Sequence, residues 1–411
     1  DYLQSRPEVN PERIGVTGRS GGGAYSWWVA ALDERIKVAA PVAGITDLEN
    51  HVVDGCVEGH CDCMFMVNTY RWDYAQVAAL VAPRPLLICN SDKDKIFPLD
   101  GVQRIHEKVR EVYHLYRATT NLGLLITEGP HKDTQDLQVP VFRWFNRHLK
   151  GEEPLITVAA EKLLPPAQLK VLDAPPKDQR TTTIHESFVP VAKPMVLPES
   201  REALDAARER IVEQLRAKSF HGWPATPGVV AMENVGRHKL GATQFLVGEF
   251  NTDESVRLRL YAFAPDVEKL RRVVVMLVDN VAFPAFAATV EDAVPGAMAD
   301  EVALMKRLQL SPPPGLDATL REETKALLAD GETAVLFFAP RGLGMDTWNP
   351  PAKYAMDLPR RFQLLGQTVE AMRVWDILAL TGAIRSVEAA QDADIEIRAS
   401  GALAVNARTP R

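Results

Sequence analysis

Four short apolar runs, at residues 13–17, 36–42, 85–89 and 123–127, alternate with stretches of helical periodicity over the first 150 residues and restrict what the chain can fold into. Each run is too short for a buried helix and too continuously apolar for a strand wetted on one face. Such runs read as strands of a parallel sheet covered on both sides. Between and after them, residues 21–32 set Ala24, Trp27, Trp28 and Ala31 on one helical side. Residues 102–116 repeat the helical period, and 139–149 place Phe142, Phe145 and Leu149 together.

The full length of 411 residues is too long for one average domain and predicts two or three compact units. From 151 to 235 the prolines Pro165, Pro166, Pro175, Pro176, Pro190, Pro194 and Pro198 mark an extended linker, interrupted by one amphipathic helix at about 201–219. A second α/β pattern follows over 236–411. It has an alternating strand at 256–263, buried strands at 273–278 and 334–338, a long helix at 362–384 and a last strand at 395–397.

Apolar content of 46% and charged content of 25% are ordinary for a globular protein. A net charge of −7 without a Lys/Arg-dense stretch argues against a nucleic-acid partner. No apolar run approaches the roughly 20 residues of a membrane-spanning helix, so no membrane partner is expected. The chain starts at Asp1 without a basic-then-apolar leader, which leaves its compartment open, as its oligomeric state is. Three of the four cysteines, Cys56, Cys61 and Cys63, cluster near His51 and His60, while Cys89 lies in a strand. Zinc is the sharper reading of that cluster, but the paired C-x2-C spacing is lacking and there is no second cluster. A loop with small thiols, or one disulfide, is the plainer reading, and no metal is assigned.

The chemistry concentrates at Gly18-Arg19-Ser20-Gly21-Gly22, which fits G-x-S-x-G. As a bare pattern this is weak, but here it sits directly between a strand and a helix, as a nucleophile elbow requires. The turn is strained and needs small residues where backbone approaches backbone. It lifts the Ser20 hydroxyl above the sheet edge and points the Gly21 N–H at a developing oxyanion. An activated serine needs a carboxylate and a base, which in this arrangement follow in the order Ser, Asp, His. After the third strand, Asp92 and Asp94 compete for the acid. Asp94, with Pro98 four residues on, is preferred, and Asp92 is read as capping the turn. After the fourth strand, Gly129-Pro130-His131 delivers the base. His106, His114 and His148 read as helix-surface residues, while His51 and His60 could line a pocket mouth.

Residues 13–150 resemble the acetyl xylan esterase and dienelactone-hydrolase-like branch of the α/β-hydrolase superfamily. The matching pieces are residues 18–23, residues 32–37, Ala82-Pro-Arg-Pro-Leu86, Asp94 to Pro98, and Gly129-Pro-His131. The resemblance implies the α/β-hydrolase fold, a mostly parallel sheet with helices on both faces. It also implies a Ser20, Asp94, His131 triad and hydrolysis of a carboxylic ester, a small-molecule or carbohydrate acetyl ester, without a cofactor. Prolyl-oligopeptidase-type peptidases share the elbow and loops, so peptide hydrolysis is a second reading, and a catalytically incomplete scaffold is a third. Residues 236–411 resemble the N-terminal half of the same fold, with Gly401 opposite Ser20 and no acid or histidine after it. Residues 1–150 would then be the C-terminal half of one copy, and 236–411 the start of a degenerate second copy in tandem. A permuted single domain would instead pair 273–278 or 334–338 with 13–17 in one sheet.

Overall fold

The computed structural model describes residues 1–56, 67–157, 164–188, 191, 193, 196–224, 231–348 and 357–407. The chain divides into two compact units, one of Asp1–Phe65 with Tyr70–Ile211 and one of Met66–Thr69 with Val212–Arg411. The first unit has a fold of the α/β-hydrolase type with a parallel sheet, and the second is an α/β unit with a mixed sheet.

In the first unit β1 (Gly15–Arg19), β2 (Val38–Val42), β3 (Leu86–Ser91) and β4 (Leu122–Thr127) form a four-stranded sheet in that order. All pairs are parallel, with Gly15 opposite Val38 and Leu86 opposite Leu122. Every residue of β2 and β3 is buried, whereas β1 and β4, on the edges, are partly exposed. Among the described residues the helices α1 (Gly21–Leu32), α2 (Leu48–Val52), α3 (Tyr74–Ala79), α4 (Leu99–Leu115) and α5 (Gln135–Phe145) accompany the sheet. Leu137, Val141 and Trp144 of α5 pack on Val38, Ala40 and Val42 of β2 and on Leu87 and Cys89 of β3. Residues two apart on a strand share a face, so this places α5 on one side of the sheet. Arg84 ties α1 down at its C-terminal end. Its guanidinium donates to the carbonyl oxygens of Ala30 (2.6 Å), Ile36 (2.7 Å) and Asp33 (3.2 Å). It thereby satisfies acceptors that a helix end leaves open.

After α6 (His185–Phe188) and α7 (Arg201–Lys218), the second unit builds β5 (Glu233–Leu240), β6 (Thr243–Asn251), β7 (Arg257–Pro265), β8 (Arg272–Leu277), β9 (Thr333–Phe338) and β10 (Asp394–Arg398). The six strands lie in the order β10-β8-β9-β7-β6-β5. β10, β8 and β9 run parallel, while β9, β7, β6 and β5 pair antiparallel. Between β8 and β9 lie α8 (Ala282–Ala293), α9 (Ala299–Leu308) and α10 (Leu316–Leu328). α11 (Asp357–Leu364) and α12 (Val369–Arg385) precede β10, and α13 (Gly401–Ala407) follows it. Two apolar clusters cover the two faces, one with Phe283, Phe286 and Val290 of α8, the other with Ile377, Leu380 and Ile384 of α12. Arg341, just after β9, is locked by Asp376 of α12 at 2.7 Å.

The structure corrects several expectations. The single helix expected over 362–384 is two, broken at Gly366, whose φ of 75° ends one helix before the Thr368 side chain caps the next. The hairpin of β5 and β6, turning at Gly241 with φ 66°, and the helices α8 to α10 were not read from the pattern. Among the described residues the strands form two sheets, and β1 pairs with β2 alone. This rules out the permuted single sheet.

Candidate active site

Because sheet A, the four-stranded sheet of the first unit, is parallel, the turns after β1, β3 and β4 all open at its carboxyl edge, where open α/β sheets place their ligands. Ser20 follows β1 directly and caps α1 with φ 57° and ψ −121°. A non-glycine residue with positive φ is strained by about 1–3 kcal/mol, a cost retained where the surroundings fix it. Here the fixing groups are visible. Ser20 N donates to the Val42 carbonyl of β2 at 3.0 Å, and the Ser20 carbonyl accepts from Ala24 N at 2.9 Å. Gly21, the first residue of α1, presents an N–H of the kind that has no acceptor within its helix, at the positive end of the helix dipole.

The glycines divide by need. A Cβ on Gly18 would lie 2.6 Å from the Gly22 backbone, and one on Gly23 would lie 2.4 Å from the Val42 carbonyl oxygen. A Cβ on Gly22 would meet nothing within 4 Å. The elbow therefore requires small residues at 18 and 23, not at 22, and Arg19 between them is exposed.

Asp94 and His131 meet as the sequence predicts. His131 Nδ1 lies 2.7 Å from Asp94 Oδ2, and the Asp94 side chain is fully buried. The other oxygen, Oδ1, accepts from the backbone N–H groups of Ile96 (2.9 Å) and Phe97 (3.0 Å). Since a carboxylate only accepts, His131 donates through Nδ1 and keeps Nε2 free as an acceptor. The Phe97 ring lies alongside the imidazole, 5.9 Å between centroids. Ser20 and His131 form no hydrogen bond with each other among the described residues; the structure brings together the acid and the base and places the serine on the same sheet edge.

Asp92 does something the sequence did not disclose. Its Oδ1 accepts from Gly129 N at 2.8 Å, so it braces the histidine loop rather than capping its own turn. Ser91 Oγ donates to the Pro130 carbonyl (2.9 Å) and Lys93 N to the Gly129 carbonyl (3.0 Å). The two loops are stitched together immediately beside the pair.

The remaining candidates fall away from this edge. His51, expected near a pocket mouth, is buried in α2, where its Nδ1 donates to the Asp47 carbonyl at 2.7 Å. Burial depresses its pKa below the ordinary imidazole value. His114 is exposed on α4, but His106 and His148 are half-buried, the latter against Trp144 at 4.3 Å. Cys56 is half-buried and unbridged, and burial with nearby Asp54, Asp100 and Asp94 pushes its thiol up to about 11, away from nucleophilic use. His60, Cys61 and Cys63 lie outside the described residues. Among the described residues no group of three or more His, Cys, Asp or Glu is arranged to hold a metal ion, and no helix is long and apolar enough to cross a membrane.

Comparison with known proteins covers the same region. Residues 1–152 match the prolyl oligopeptidase family. YtaP of Bacillus subtilis, which is named as a hydrolase, is 29% identical over 150 residues, covering 36% of this chain and 50% of that protein. YuxL of the same bacterium, an uncharacterized peptidase, is 26% identical over 165 residues, covering 36% of this chain and 24% of that protein. This chain thus spans about half the length of the first relative and about a quarter of the second. Among solved structures, a Bacteroides fragilis protein named as an acetyl xylan esterase matches at 9% identity and a TM-score of 0.39, over 56% of each chain. A glucuronoyl esterase of carbohydrate esterase family 15 from Caldicellulosiruptor kristjansonii matches at 20% identity and a TM-score of 0.32, over 40% of this chain and 52% of that one. The family match covers the residues that carry Ser20, Asp94 and His131.

Proposed function

We propose that the first unit is the catalytic half of a serine esterase that works through an acyl-enzyme on Ser20. One observation carries the reading: a strained serine at an elbow shares a sheet edge with a buried aspartate already bonded to a histidine. His131 Nε2 takes the proton as Ser20 Oγ attacks the acyl carbon. Asp94 holds the imidazole in the required tautomer and stabilises its cation, and the Gly21 N–H receives the oxyanion. The protonated imidazole then delivers its proton to the departing alcohol. Water, activated by the same nitrogen, releases the acid and restores Ser20.

An ester is favoured because an alkoxide is a better leaving group than an amide nitrogen and demands less of the site. An acetylated carbohydrate is the substrate class proposed first. The prolyl oligopeptidase match favours a second reading, a serine peptidase. Turnover of p-nitrophenyl acetate against a short prolyl peptide separates the two. Esterase turnover that exceeds peptidase turnover, and that disappears in Ser20→Ala with an unchanged circular dichroism spectrum, supports the proposal. Activity retained at more than a few per cent in that variant would overturn it.

We further propose that the second unit is the N-terminal half of a hydrolase-like copy, degenerate at its elbow. What supports the reading is that β10 leads into α13 at Gly401, whose φ of 56° is close to the 57° of Ser20.

A further inference from the structure

On the face of the second unit's sheet that carries α12, a groove of about 290 Å³ runs beside the C-terminal end of that helix. Small-molecule sites start at a similar size, roughly 300 Å³. The lining comes from five strands, from β5 at the sheet edge through β6, β7 and β9 to β8. Four strand spacings of about 4.8 Å give a span of roughly 19 Å. So small a volume over so long a path makes a narrow channel.

Small residues set its floor low: Gly248 of β6, Ala262 and Ala264 of β7, and Ala334 of β9. Met232, Leu246, Leu270 and Val387 stand along it and are only half-buried, so an occupant reaches them. At the β5 end Arg237 lines the groove, exposed and directly opposite Leu246. Lys239 lies two residues further on and shares the face. Among the described residues neither cation has an ion-pair partner. The acids of these two strands, Glu233 and Glu249, point to the other face, where Arg257 holds them at 2.6 and 2.7 Å and Arg259 holds Glu249 at 2.8 Å. A channel that is apolar along its length and cationic at one end matches an amphiphile with a single anionic end.

We infer that this groove binds a medium-chain fatty acid. Its carboxylate takes the exposed Arg237 guanidinium, which offers two parallel N–H donors to such a group. Its unbranched chain lies over the glycine and alanine floor, from Met232 and Leu246 toward Leu270 and Val387. The channel is too narrow for a ring system, and no described residue of its lining is aromatic, so there is no face for a ring to stack on. The site is independent of Ser20.

Calorimetric titration of the intact chain with decanoate tests the inference, with octanoate and decanol as controls. Saturable one-to-one binding is expected. Each buried methylene strengthens binding about fourfold, so octanoate should bind roughly fifteenfold more weakly. Decanol, and decanoate on Arg237→Gln, lose the charge-assisted pair and should bind about tenfold more weakly. Leu246→Glu sets a carboxylate directly across from Arg237 and should weaken decanoate by about tenfold or more. Thermal melts establish that each variant is folded. Absence of saturable binding at millimolar decanoate, equal affinity for the two chain lengths, or undiminished binding in folded Arg237→Gln or Leu246→Glu would overturn the assignment. So would self-association that covers this face, seen in sedimentation as a dimer lost in Leu246→Glu.

Discussion

At the scale of single residues, the proposed reaction depends on one imidazole being held in one tautomer. Asp94→Asn keeps the shape of the side chain but offers His131 Nδ1 a donor in place of an acceptor, or forces a flip. A fall in kcat of about 10⁴ is therefore expected, with the circular dichroism spectrum unchanged. A loss below about tenfold would show that Asp94 does not orient the base. His51 makes a different prediction. Burial holds its folded-state pKa below the ordinary 6.5, so the unfolded chain takes up this proton first as the pH falls. Its contribution to stability is complete above about 6.5 and is lost as the pH drops toward the folded value. His51→Gln should therefore flatten the decline of the urea midpoint below that pH. His106 and His148, also depressed by burial, keep part of the slope in both proteins. The Asp94–His131 contact was legible in the sequence because each residue follows a recognisable strand. The bracing role of Asp92 was not, because the Gly129 N–H it accepts from lies 37 residues away and no local spacing announces it.

At the scale of elements, strand–turn–helix geometry decides which elbow glycines matter. Gly23→Ala drives a Cβ to 2.4 Å from the Val42 carbonyl oxygen of β2. Overpacking of this kind costs about 1–3 kcal/mol. Gly22→Ala enters open space on a helix and should be neutral or stabilising by up to about 1 kcal/mol. Urea denaturation of the two variants checks the contrast, and equal destabilisation would contradict it. The four strands of the first unit were legible because buried parallel strands leave continuous apolar runs. β5 was hidden because its exposed, polar sequence at the sheet edge carries no such run, and its pairing with β6 comes from the turn at Gly241. α8, rich in alanine and phenylalanine, is apolar on most sides and lacks the amphipathic stripe that announces a helix.

At the scale of the whole molecule, the chain has two units with a sheet each, and a proline-rich stretch is exposed throughout residues 164–188. Trypsin at low dose should therefore cut at Lys170, Lys177 or Arg180 before it cuts within either sheet, and mass spectrometry of the time course reports the order. First cuts inside β1 to β4 or β6 to β9 would contradict this. The alternation of runs made the α/β character of both units legible. The topology of the second sheet did not follow from its pattern: β5, β6 and β7 pair through short turns that the pattern did not announce, and β7 then pairs with β9, far away in sequence. The central claim is that the fold gathers a serine, a histidine and an aspartate from three strand ends into one reactive site. Labelling the intact chain with a fluorophosphonate and mapping the adduct tests it most directly. The account predicts modification at Ser20, abolished in a folded His131→Ala variant. Folded protein that stays unlabelled, or carries the label elsewhere, would contradict it.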